Sequence, residues 1–95
     1  MTKKTVCLND KLKKNNLTKI VFYNTGAIIL SLKKMKYYKL DRQGVFVWKL
    51  LERYNYPQKV IEVMINKYEF ENKSEIKEDV INICNFLVSH QLWNK

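Results

Sequence analysis

Side chains that could do chemistry are few in this chain of 95 residues. The single histidine, His90, falls where the spacing predicts the last turn of a helix. A cation is favoured there beside free carbonyls, so His90 is expected to cap the helix or face solvent rather than catalyse. Cys7 and Cys84 lie far apart and form no CxxC pair, so with one histidine they support neither a zinc site nor a disulfide framework. Both are expected to be reduced, partly buried thiols. Acids such as Glu75, Glu78 and Asp79 cluster where a helix begins, as structural acids do. No Ser/His/Asp or Cys/His set can be assembled, and neither a GxGxxG nor a GxxxxGKS/T run is present to cradle a phosphate. The expectation is a protein that is not an enzyme and has no metal or cofactor.

Charge carries more information. Residues 1–40 hold ten lysines against the single acid Asp10, net +9, whereas residues 41–95 hold eight bases and eight acids. A one-sided basic surface favours an acidic partner and speeds its encounter at low salt, although a solubilising lysine-rich surface is the plainer explanation. One domain of this length buries about 60 to 65 % of its unfolded surface, so one modest core is expected. No apolar run approaches the ~18 residues of a membrane span and no export signal opens the chain, which predicts a soluble, cytoplasmic protein with no membrane partner.

The elements that would position a site are predicted outward from Lys36 to Leu51, where a strand runs into a helix. Thr5 to Leu8 read as a short strand and Asn9 to Asn16 as loop, within a lysine-rich segment 1–19 that could be partly disordered. Ile20 to Tyr23 and Ala27 to Leu32 are rich in β-branched and aromatic residues. The Asn24-Thr25-Gly26 link between them suits a hairpin with a bulge. Lys33 to Met35 turn the chain again, and Tyr37 to Leu40 form the last strand of an antiparallel meander. Asp41 caps the first helix, flanked by Leu40 and Val45 at the staple positions, and Gly44, Val47, Trp48, Leu51 and Tyr54 make its apolar face. Asn55 to Pro57 break the chain. Pro57 opens a second helix with Ile61, Met64, Ile65 and Tyr68 on its core face. Asn72 or Ser74 caps a third helix whose main stripe is Ile76, Val80, Ile83, Cys84 and Leu87. Ile81 and Val88 lie on an adjacent flank with Asn85 between them. Three strands followed by three helices predict an α+β, winged helix-turn-helix-like single domain.

Two binding functions fit that architecture. A small basic winged-helix protein could place a helix in a nucleic-acid groove, but the third helix is acidic at its N-terminus, where phosphates would be met, and the basic residues lie on strands and loops. An extended peptide accounts for more of the residues. The last strand, Lys36 to Leu40, leaves main-chain groups unpaired along an edge, and the Ile81/Val88 flank could floor a groove beside it. Lys33, Lys34, Lys36 and Lys39 would then favour acidic residues in the peptide. The plainer alternatives are lysines that guard an edge against aggregation and a flank that completes the core. The same free edge also allows a monomer to pair weakly with a second copy.

Several segments, taken in order, resemble a known family. They are Gly26 to Leu30, Tyr37-Tyr38-Lys39-Leu40-Asp41, Gly44 with Val47-Trp48 and Leu50-Leu51, then Ile61, Ile65 and Tyr68, and finally Asp79-Val80 through Ile83-Cys84 and Leu87 to Leu92-Trp93. The pattern is similar to PqqD-like domains, also called RiPP recognition elements, and most like the stand-alone members of lasso-peptide clusters. Gln91 stands where the family usually has glycine, and the N-terminal segment is longer and more basic than the family needs. The resemblance implies a non-catalytic domain whose third strand pairs in antiparallel fashion with the leader of a ribosomally made precursor peptide. It would deliver that leader to a separate leader protease, cyclase or radical-SAM enzyme. By position, it implies that Lys36, Tyr37, Tyr38, Lys39 and Leu40 supply the main-chain ladder, and Ile81, Cys84, Asn85 and Val88 the helix side of the cleft.

Overall fold

The computed structural model describes residues 6–67 and 72–95. A three-stranded antiparallel sheet, β2 (Thr18–Tyr23), β3 (Gly26–Ser31) and β4 (Lys36–Asp41), precedes three helices, α1 (Arg42–Tyr54), α2 (Pro57–Lys67) and α3 (Lys73–Ser89). Two short strands, β1 (Lys13–Lys14) and β5 (Trp93–Asn94), pair with each other and tie the two ends of the domain together. The α+β class and the order of its main elements are as the sequence predicts.

Local chemistry explains the joints. Asp41 is extended at φ −81°, and its carboxylate accepts the Gly44 N–H at 2.8 Å, which fixes the start of α1 one residue past the strand. Pro57 begins α2, and Asn72, rather than Ser74, caps α3 by accepting from the Ser74 and Glu75 amides. The hairpin differs from its prediction. Tyr23 pairs with Gly26, so only Asn24 and Thr25 form the link, with no bulge, and Gly26 belongs to β3. Neither glycine has a positive φ; a side chain on Gly26 would collide with the Leu40 carbonyl of β4, so glycine is needed there for close approach.

The positive-φ work falls to Met35, Asn55 and Gln91. Gln91, at φ 59°, ends α3: its N–H bonds the Val88 carbonyl at 3.0 Å and the Leu92 N–H bonds the Leu87 carbonyl at 2.9 Å. This is the left-handed terminating turn usually built on glycine, formed here without one.

One face of the sheet packs on the helices through Ala27, Ile29 and Leu40, which join Val47, Trp48, Leu51, Val60, Met64, Val80 and Leu87 in one core. Trp48 and Trp93 meet edge to face at 5.4 Å, an arrangement that adds about 0.5–1.5 kcal/mol beyond area burial. The N-terminal segment also differs from its prediction. Val6 to Leu8 are not a strand, and the stretch read as loop contains β1 and the fully buried Leu12. The Leu12 N–H donates to the Asn55 carbonyl at 2.7 Å, and the Asn55 amide returns a bond to the Leu12 carbonyl. Tyr68, expected on the core face of the second helix, lies outside the described residues.

A candidate peptide-binding edge and groove

β4 is last in the order β2-β3-β4, so one side pairs with β3 and the other meets no strand among the described residues. The hydrogen bonds show which groups face that open side. Just past β3, the Leu32 N–H donates to the Leu17 carbonyl at 2.8 Å, so even-numbered residues of this strand bond toward β2. Ala27, Ile29 and Ser31 then bond toward β4, through their partners Leu40, Tyr38 and Lys36. The proximity of the Leu40 carbonyl to Gly26 agrees. The main-chain groups of Tyr37, Lys39 and Asp41 are left pointing at the open edge. Of the five residues expected to supply a ladder, Lys36, Tyr38 and Leu40 spend their main-chain groups on β3, because alternate residues of a strand bond to opposite sides.

The side chains alternate as well. Tyr37 and Lys39 point to the outer face of the sheet, with Val21, Ile28 and Leu30, while Tyr38 and Leu40 point toward the helices. On that inner side a groove of about 410 Å³ runs between β4 and α3, with Leu40, Asp41 and Gly44 on one wall and Asn82, Ile83 and Phe86 on the other. Aromatic contacts close one end. Tyr38 stands 5.9 Å from Phe86, edge to face, and 4.8 Å from His90. His90 is therefore more than a helix terminus. Burial, and then the nearby Lys34 and Lys36, lower its pKa from the usual histidine value, so it is neutral at neutral pH. Lys33 and Lys34 lie in the β3–β4 turn, where the Lys34 N–H donates to Ser31 Oγ.

The helix side differs from the expected one. Cys84 is 0 % exposed and Val88 is buried, so both belong to the core and have no surface to offer a peptide. Burial pushes the Cys84 thiol up to about 12. Asn85 accepts the Val6 N–H on its Oδ1 at 2.7 Å, and Ile81 shares its helical face at i, i+4. That flank is engaged by the chain's own N-terminal segment. The groove lies on the opposite side of the buried stripe, at Asn82, Ile83, Phe86 and His90. Ile83 reads as core from the sequence, and Phe86 belongs to neither the predicted stripe nor the predicted flank. Their i, i+3 spacing, continued to His90, was a visible signal, but α3 is apolar on both flanks of its stripe and spacing alone does not say which flank meets the sheet.

The other thiol, Cys7, is exposed. Among the described residues, no group of three His, Cys, Asp or Glu could hold a metal ion, and no helix is long and apolar enough to cross a membrane.

A meander, three helices and an open strand edge beside a groove define a small α+β domain. The family profile of coenzyme PQQ synthesis protein D (PqqD) matches residues 26–92, and the chain belongs to that family. Two solved structures share its fold. One, of TbiB1 in complex with the TbiA(beta) leader peptide, superposes with a TM-score of 0.75 at 20 % identity, over 85 % of this chain and 93 % of the other. The second, a lasso peptide synthetase B1 complexed with the leader peptide, gives 0.78 at 13 % identity, over 90 % and 100 %. No curated protein matches the chain in sequence.

Proposed function

We propose that this protein is a non-catalytic recognition element that binds the leader segment of a ribosomally made precursor peptide and delivers it to a separate modifying enzyme or leader protease. The leader adds to β4 as a fourth strand, bonding the main-chain groups of Tyr37, Lys39 and Asp41. Its inward side chains enter the groove against Tyr38, Ile83 and Phe86. The observation that carries this reading is the open β4 edge lying directly beside that groove. Both similar structures are described as complexes with leader peptides, which supports the same use of the fold here.

Main-chain bonds fix the orientation of the leader and one or two apolar anchors supply most of the affinity, as buried anchors do in other interfaces. The lysines of the β3–β4 turn and of β4 mainly raise the encounter rate. The start of α3 carries Glu75, Glu78 and Asp79 against Lys73 and Lys77, so it offers no basic face, which disfavours nucleic acid as the occupant of this side.

The test is a titration of isotope-labelled protein with synthetic leader segments of short precursor reading frames encoded beside its gene. Saturable amide shifts centred on Tyr37, Lys39 and Phe86 are expected. Shifts confined to other elements, or tight salt-sensitive binding to duplex DNA with no response to any leader, would overturn the proposal.

A further inference from the structure

The groove has a direction and a sorted charge pattern, and these bear on which peptide it accepts, given the strand-addition reading above. β4 and α3 line it in opposite chain directions. Tyr38, near the start of β4, meets Phe86 and His90 near the end of α3. Asp41 shares the groove with Asn82 and Ile83, and Gln43, two residues on, donates from Nε2 to Asp79 Oδ2 at 3.1 Å near the start of α3. The groove therefore runs from a Lys36/His90 end to an Asp41/Asp79 end, a span of about 17 Å for the six residues of β4.

The charges are divided between those ends. At the first are Lys34 and Lys36, both close enough to act on His90, with Lys33 in the same turn. Neither residues 27–40 nor residues 80–95 include an aspartate or glutamate. At the second end are Asp41, and then Glu75 and Asp79, which line the adjoining hollow with Arg42, while Lys67 lies 4.8 Å over the ring of Phe46 at the same hollow. Between them stand Tyr38, Leu40, Ile83 and Phe86, with Asn82 and the cation Lys39 also lining the groove.

Strand direction converts this pattern into a sequence preference. Every pairing in the sheet is antiparallel, and antiparallel addition is the more stable way to extend it. A strand added in that sense begins opposite Asp41 and ends opposite Lys36. We infer that the site selects a bipolar extended peptide, with basic residues on its N-terminal side, an apolar or aromatic middle, and acidic residues on its C-terminal side.

The reversed peptide brings like charges together at both ends. Exposed pairs of this kind are individually weak, so two at each end give a difference of about fivefold or more in affinity at low salt. This is enough to sort leaders that share an apolar middle.

Two synthetic 14-residue peptides of identical composition, with blocked ends, test the inference. Both have the same alternating apolar centre; one has two lysines before it and two glutamates after it, and the other has the charges exchanged. The lysine-first peptide is expected to bind about fivefold or more tightly at low salt, by amide shifts at Tyr37 and Lys39. The variant Glu75→Lys, Asp79→Lys, Lys34→Glu, Lys36→Glu, checked for unchanged thermal unfolding, is expected to invert the preference. Equal affinities, or a preference that survives the four substitutions, would refute the polarity while leaving strand addition intact. If neither peptide moves the β4 amides at millimolar concentration, strand addition falls with it.

Discussion

Lys39 presents its side chain to the outer face of the sheet and its N–H to the open edge, so its main chain can be altered without touching the pairing of β4 with β3. Lys39→Pro removes one edge donor at a position where proline is tolerated, and the fold should persist while leader affinity falls by about tenfold. Tyr38→Pro removes a donor used by β3 and should unfold or severely destabilise the protein; thermal unfolding and a peptide titration of the two variants separate these effects. Gln91 is a second such position. Holding a non-glycine residue at φ 59° costs about 1 kcal/mol, so Gln91→Gly should raise stability by about that amount in urea unfolding.

Cys84 sets a pH limit at the same scale. Its folded pKa is raised from 9.0 to about 12, so the neutral thiol is the form the fold holds. Its contribution is fully present below about pH 9 and is lost as pH rises toward 12, since the unfolded chain releases that proton first. Urea midpoints should fall over this window, and less steeply in Cys84→Ala. A thiol reagent should label only Cys7 under native conditions.

At the scale of elements, α3 has two apolar flanks with different occupants. One is held by the N-terminal segment through Val6 and Asn85, and the other forms the groove wall with Ile83 and Phe86. Phe86→Ala should weaken leader binding about tenfold or more by removing an anchor wall. Ile81→Ala should cost about 1 kcal/mol of stability and change affinity by less than about twofold, which calorimetric titration of both variants would establish. The sequence showed that α3 has more apolar surface than one core requires. It did not show which flank faces the sheet, because residues 6–14, which decide the matter, read as the end of a short strand followed by a polar loop.

For the whole molecule, the excess charge lies on the N-terminal part and the sheet, while the helical half is balanced. Reversing Lys33, Lys34, Lys36 and Lys39 to glutamate lowers the formal net charge by eight, from +9 to +1. Stopped-flow association with a leader should become slower at low salt and lose most of its salt dependence, with a smaller change in dissociation. An unchanged rate would remove the steering role. The basic N-terminal segment is structural where it is described: it buries Leu12, pairs β1 with β5 and leaves the β4 edge open.

The sequence by itself determined the α+β order, the helix cap at Asp41, the proline start of α2 and the identity of the edge strand. Each of these depends on neighbours within a few positions, through hydrogen-bonding side chains, fixed φ angles or strand alternation. The tertiary structure decided which main-chain groups of β4 face outward, which flank of α3 forms the groove, and that Cys84 and Val88 are core. Those features depend on contacts between segments up to 79 residues apart, such as Val6 with Asn85, where packing rather than local pattern chooses among faces the sequence leaves equivalent.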